Sequence, residues 1–165
     1  MFIYLISFPQ KVTAKIFQVA ETLPEEVLSK MHAPPKAADV PIITANDLKD
    51  ADGIIFGIPT RFGMAPAQMK ALFDSCGQLW MKGELHHKFV STFFSTGGIG
   101  GGQETTVMST MPFFAHMGMI YVPLGNKGKE KAPEGEVPGG SAWGAGTFGS
   151  REVSEYELRV AQFQG

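Results

Sequence analysis

Apolar positions along this chain recur with two spacings that alternate. Ile54, Ile55, Phe56 and Ile58 form a short run with almost no polar interruption, as a strand covered on both faces does. Pro59 ends that strand, because proline has no N–H for the ladder. Residues 89–95 and 119–122 read as further strands. Between them the spacing lengthens. Met69, Leu72, Phe73 and Cys76 follow i, i+3, i+4, i+7 and predict a helix over 65–79, with Gly77 at a closing position. Val107, Met111, Phe114 and Ala115 predict an inward helix face over 103–117. Pro112 lies inside that helix and should cost it about 3 kcal/mol or kink it. A last helix is predicted over 154–163, with Ser154 and Glu157 at capping-box spacing and Tyr156 and Leu158 as its apolar positions. From Ile54 onward this alternation predicts a parallel, doubly wound α/β sheet.

The first fifty residues are less regular. Residues 2–7 and 12–19 are strand candidates separated by a short turn at Pro9 and Gln10. A parallel crossover needs about a dozen residues or more. The two can pair as a hairpin but cannot be neighbouring parallel strands. Residues 22–31 predict a short helix, with Thr22 and Glu25 at capping-box spacing and Val27, Leu28 and Met31 on one face. A proline-rich loop covers 33–41, and a second capped helix covers 44–50 with Leu48 inward. Residues 126–149 read as a long loop rich in glycine and charge. No repeat or second domain is visible, and 165 residues suit one domain, 1–165, with a real core.

Composition narrows the function classes. Charged residues make up 18% of the chain and the net charge is −2. That gives no electrostatic case for nucleic acid or an acidic membrane. No stretch approaches the ~20 apolar residues of a membrane span. Residues 1–8 are apolar but lack the basic flank and small-residue site of a secretory signal. A lone cysteine, Cys76, fits a reducing compartment.

Two loops could carry chemistry. Ser95, Thr96, Gly97, Gly98, Ile99, Gly100, Gly101 and Gly102 follow a strand and open a helix. Their backbone N–H groups, beside the positive end of that helix, suit an electron-rich or anionic ligand edge. An ordinary glycine-rich connection has the same composition, and the run is not the dinucleotide-binding fingerprint. Thr60, Arg61 and Phe62, with Gly63 to turn the backbone, could hydrogen-bond and stack on a flat polar ring. They could equally form a plain turn with a solvated arginine. Trp80 is either a core residue or a stacking surface at a pocket rim. His116 stands near a helix end. His86 and His87 are adjacent and make a poor metal pair. Without H-x-x-x-H, H-E-x-x-H or G-x-S-x-G, neither a metal site nor a serine hydrolase is expected.

Several separated motifs, in order, resemble one family. G-I-P-T-R-F-G-M-A-P-A-Q-M-K-A-L-F-D, G-Q-L-W, F-F-S-T-G-G-I-G-G-G-Q-E-T-T, H-M-G-M-I-Y-V-P-L-G and G-G-S-A-W-G-A-G-T-F look like the WrbA-type NAD(P)H:quinone oxidoreductases, the plant members nearest. The similarity runs from about residue 12 to 165. It implies a flavodoxin-like fold, FMN as cofactor, NADH or NADPH as co-substrate, and two-electron reduction of a quinone. The flavin carries that reaction, so no catalytic side chain is implied. Thr60, Arg61, Phe62 and Gly63 would hold the isoalloxazine edge. Ser95, Thr96, Gly97, Gly98, Ile99, Gly100 and Gly101 would offer N–H groups to the ring's polar side. His116 matches the family's flavin-side histidine, and Trp80 the aromatic residue shaping the quinone and nicotinamide pocket. A homo-oligomer, dimer or tetramer, is implied, located in the cytoplasm or peripherally at a membrane.

The resemblance has a gap. The family opens with a strand, a hydroxyl- and glycine-rich phosphate loop and a helix. Here the match starts at the second strand, so the fold is expected to be N-terminally abbreviated. Residues 1–10 contain no glycine and one aliphatic hydroxyl, Ser7. Losing four charged hydrogen bonds would remove roughly 6 kcal/mol, about four decades of affinity. Residues 2–7 are expected to fill the vacant central position, antiparallel to 12–19. The alternative reading is a chain that binds FMN poorly or not at all and serves as a non-catalytic assembly partner.

Overall fold

The structure, a computed structural model, describes residues 2–7, 12–126 and 132–165. Its strands are β1 (Phe2–Ser7), β2 (Thr13–Gln18), β3 (Gly53–Pro59), β4 (Phe89–Thr96), β5 (Ile120–Tyr121) and β6 (Gly146–Phe148). Its helices are α1 (Glu25–Lys30), α2 (Ala45–Lys49), α3 (Ala67–Ser75), α4 (Gly77–Lys82), α5 (Gln103–His116) and α6 (Glu155–Gln164). The sheet order is β2-β1-β3-β4-β5, with β6 also on β4. β3, β4, β5 and β6 are parallel where they pair.

β1 fills the position between β2 and β3 and is antiparallel to both. Tyr4 pairs with Ile16 on one side and Ile55 on the other. The short connection dictates the hairpin, and the apolar run on β3 needs a neighbour for its backbone groups. The expected placement of residues 2–7 is what the structure has.

The core lies on one face of the sheet. Ile54, Phe56 and Ile58 register with Val90, Thr92 and Phe94. Leu48 of α2, Met69, Leu72 and Phe73 of α3, Leu79 of α4, and Val107 and Phe114 of α5 close over β3 and Val90. The Phe56 ring meets Phe73 edge-on at 5.6 Å and stacks on Phe114 at 5.7 Å. A smaller cluster of Tyr156 and Val160 from α6 with Leu124, Ala145 and Phe93 serves the other face.

Several boundaries differ from expectation, each for a local reason. α1 starts at Glu25 behind Pro24, and buries no residue. Thr22 does not cap it, because the Thr22 and Leu23 N–H groups donate to the Glu21 carboxylate. The predicted inward face of Val27, Leu28 and Met31 is therefore not a core face. The helix predicted over 65–79 breaks at Cys76 (φ −81°, ψ 9°) into α3 and α4, and Gly83 at φ +66° closes the second piece. α5 continues through Pro112, which is exposed. The carbonyl four residues earlier belongs to half-exposed Met108, so water can replace the lost donor. Ala115 is exposed rather than inward, and Leu158 is 50% exposed where α6 turns Tyr156 and Val160 inward. The predicted 126–149 loop contains β6. Among the described residues, no helix is long and apolar enough to cross a membrane.

Candidate functional site

The carboxyl ends of β3 and β4 carry the two loops singled out from sequence. Pro59 and Ser95 are the last registered pair. One step on, the Thr60 N–H donates to the Ser95 carbonyl at 2.9 Å. The Thr60 hydroxyl accepts from the Gly63 N–H at 3.0 Å and the Thr106 hydroxyl at 2.7 Å. It is thus a brace between the first loop and α5. Arg61 and Met64 exchange backbone bonds of 2.8 and 3.1 Å. That closes a tight turn in which Phe62 and Gly63 take φ of +55° and +77°. Positive φ suits Gly63 and strains Phe62. Phe62 is 92% exposed, and the Arg61 guanidinium lies 5.4 Å from its ring centroid. An aromatic face and a cation are thereby presented together at the sheet's rim.

The second loop is ordered from within. The buried Thr96 hydroxyl donates to the Gly98 carbonyl at 3.0 Å, and the Gly101 N–H donates to the same oxygen at 3.1 Å. A Cβ on Gly101 would sit 2.7 Å from that of Thr96, and one on Gly102 would sit 2.8 Å from the Gly63 Cα. The glycines therefore let the loop close on itself and on its neighbour. The N–H groups of Gly97, Gly98, Ile99 and Gly100 have no acceptor among the described residues. They stand before the start of the 14-residue helix α5. Free donors at a helix start attract electron-rich or anionic groups. This donor set, with the exposed Phe62 ring and Arg61, fits the polar edge of a flat heteroaromatic ring.

A third segment, 139–149, closes the same corner. The Gly149 N–H donates to the Thr96 carbonyl at 2.7 Å. Side chains from outside the segment accept three more of its N–H groups, each at 2.7 Å: Glu157 from Gly139, Gln103 from Gly140 and Gln164 from Ala145. Its glycines are packing requirements, since a Cβ on Gly144 would lie 2.0 Å from the Thr92 carbonyl oxygen. Glu157 is 3% exposed. Burial acts to raise its carboxyl pKa. Bonds from the Gly139 and Ser154 N–H groups, Arg151 and the Thr147 hydroxyl outweigh that and hold it below the ordinary value.

Trp80 and His116 are not brought to this corner. α5 begins at the glycine loop and His116 is its last residue, exposed, about 20 Å along the axis by helical rise. Trp80, 57% exposed on α4, stands just before the chain re-enters the sheet at the start of β4. Both occupy the opposite pole, where the His87 N–H also donates to the Gly118 carbonyl at 2.8 Å. Among the described residues, no His, Cys, Asp and Glu group could hold a metal ion.

Sequence reasoning missed Gln103, Thr106 and Gln164, and saw in Glu157 only a helix cap. Glu157 is that cap, but one carboxylate also serves two loops. No periodicity or spacing marks a glutamine with partners as far as 37 residues away, as for Gln103, or 73, as for Gln164.

Comparison with known proteins agrees with this architecture. Quinone-oxidoreductase QR2 of Triphysaria versicolor is 53% identical over 159 residues, covering 93% of this chain and 77% of that protein. NAD(P)H quinone oxidoreductase PST2 of Candida albicans is 50% identical over 158 residues, covering 93% and 78%. Among solved structures, a flavodoxin, WrbA-like protein from Agrobacterium tumefaciens has a TM-score of 0.57 at 21% identity. It covers 72% of this chain and 64% of its own length, and supports a flavodoxin-like fold. The NADPH-dependent FMN reductase family matches residues 5–132, most of the chain. On that match, and on relatives at about half identity, the chain belongs to the NADPH-dependent FMN reductase family.

Proposed function

We propose that this chain, as one flavodoxin-like domain over 1–165, binds FMN and reduces quinones with NADH or NADPH, as a WrbA-type enzyme. The observation that carries the reading is the set of N–H groups from Gly97 to Gly100 without an acceptor among the described residues, in a loop whose end, Gly102, packs on Gly63 beside Arg61 and Phe62. Two relatives named as quinone oxidoreductases support the reaction class.

When bound, FMN supplies two-electron hydride acceptance and donation. The chain's part is to hold and bias it. The N–H groups of Gly97, Gly98, Ile99 and Gly100 would hold the polar edge of the ring and favour negative charge there. Arg61 adds a positive charge on the same side. The exposed Phe62 ring would stack against the flavin and exclude water from it. Thr60, Ser95, Thr96, Gly63 and Gly101 keep the two loops at fixed separation.

His116 and Trp80 serve a different place. Lying at the opposite pole, they can touch a flavin or its substrates only in another copy of the chain. We therefore place them at a subunit contact of a homo-oligomer, dimer or tetramer, in the cytoplasm or peripherally at a membrane.

One observation favours a weaker version of this function. β1 runs antiparallel to β3, so Ser7 lies at the end of the sheet away from Thr60. Among the described residues, no strand between β2 and β3 leads through a glycine loop into a helix at the ligand edge, since β1 there is followed in the chain by β2. The family's phosphate loop is the element that β1 stands in for as a strand but not as a ligand. We read the flavin as held by its ring rather than its phosphate. At the limit of this weakening lies the non-catalytic assembly partner.

The test is NADPH oxidation by the purified chain with menadione as electron acceptor, with FMN added to saturation. FMN-dependent turnover is expected, together with its loss on Arg61→Ala. No turnover at any FMN concentration would remove the enzymatic reading.

A further inference from the structure

The side chain of Gln103 joins the glycine loop to segment 139–149, and neither the family match nor the names of relatives assigns it a role. Its amide oxygen accepts from the Gly140 N–H at 2.7 Å. Its amide nitrogen donates to the Thr96 hydroxyl at 3.2 Å and the Thr147 carbonyl at 3.0 Å. Thr96 then donates to the Gly98 carbonyl.

Direction matters here. A serine or threonine hydroxyl has one proton, and Thr96 gives it to Gly98 because Gln103 supplies a donor from the other side. Reading along the bonds gives an ordered relay: Gly140 N–H, Gln103 amide, Thr96 hydroxyl, Gly98 carbonyl. Its last member is the oxygen that also accepts from Gly101. That oxygen is turned toward the buried Thr96, and the Gly97–Gly100 N–H groups have no acceptor among the described residues.

We propose that Gln103 is a positioning residue for the flavin site, acting through the Thr96 hydroxyl to turn the Gly98 carbonyl inward and leave the loop's N–H groups for the ligand. The proposal rests on the flavin-binding reading above. It adds a specific dependency, that loop geometry is set by a side chain from the first turn of α5 and not by the glycines alone. Without Gln103, the Thr96 hydroxyl can rotate, the Gly98 peptide loses one of its two inward bonds, and the loop samples orientations that spoil the donor set. Segment 139–149 keeps its bonds to Glu157 and Gln164 in that case, so the defect is local.

Gln103→Met keeps the volume and removes every polar bond. Thr96→Val keeps the shape and removes the hydroxyl, whereas Thr96→Ser keeps the hydroxyl and loses a methyl. FMN affinity is read by quenching of flavin fluorescence, and exchange of the Gly101 amide by NMR on the flavin-free chain. Gln103→Met and Thr96→Val should each weaken FMN about tenfold, and the double variant little more than either, because both cut the same relay. Thr96→Ser should stay within about threefold of the parent. Gly101 exchange should speed up in both relay variants without any flavin present.

A packing role for Thr96 predicts the reverse order, with valine tolerated and serine not, and that result would overturn the proposal. So would additive losses in the double variant, or unchanged Gly101 exchange. If the parent chain binds no FMN, the functional reading fails by itself, and amide exchange still decides whether the relay orders the loop.

Discussion

Gly63 and Gly102 lie back to back: a Cβ built on Gly102 would fall 2.8 Å from the Gly63 Cα. Both take positive φ, +77° and +88°. Each position thus combines a backbone shape that other residues resist with a gap too narrow for a methyl group. The first loop and the start of α5 meet through this contact. Gly102→Ala should destabilise the chain by about 2 kcal/mol, from left-handed strain plus displacement of the neighbour. Urea denaturation should show the loss as a lower midpoint with an unchanged slope. The same variant should lose flavin quenching before it loses its fold, because the loops separate first.

Glu157 makes stability depend on pH. Its folded pKa lies below the unfolded value because five donor atoms hold the carboxylate, against the opposing effect of burial. Such a group adds stability that is fully present above the unfolded carboxylate value, about 4.3, and is lost as pH falls through the folded one. The melting temperature should therefore decline below about pH 5. Glu157→Gln should be less stable at pH 7, by about 2 kcal/mol, since a neutral amide loses the charge-assisted bonds from Arg151 and from Gly139 and Thr147. Its melting temperature should change less between pH 6 and pH 4 than the parent's.

Cys76 should be chemically silent in the folded chain. It is fully buried and its Sγ donates to the Leu72 carbonyl at 3.3 Å. Burial pushes the thiol up to about 11, despite an opposing bond from Ser75. Only the thiolate reacts with disulfide reagents. Ellman's reagent at pH 8 should give no absorbance in buffer and one equivalent in guanidinium chloride.

How much could be read from the sequence depends on where each element finds its partners. β3, β4 and the inward face of α3 were legible because Ile54, Phe56, Met69, Leu72 and Phe73 bury themselves by local periodicity alone. The β1–β2 hairpin followed from chain length, since so short a turn excludes a parallel pair. α1 misled because Val27 and Met31 have helical spacing yet stay exposed, with nothing among the described residues to bury them. β6 was hidden because Gly146, Thr147 and Phe148 form a strand through β4, not through their own propensity. The loops at the rim were visible as glycine clusters. Their bracing by Gln103, Thr106, Glu157 and Gln164 was not, because long-range side-chain bonds leave no mark on composition or period. Trp80 and His116 were identified by resemblance and stand at the opposite pole of this chain from the glycine loop.

The central claim is that the ring of the flavin is gripped and its phosphate is not. Riboflavin lacks that phosphate, so paired fluorescence titrations with FMN and riboflavin address the claim directly. Quenching should saturate for both, with dissociation constants within about threefold of each other, less than 1 kcal/mol apart. Absence of quenching by either at about 1 mM would contradict the ring site, and FMN binding more than about 100-fold tighter than riboflavin would contradict the unanchored phosphate.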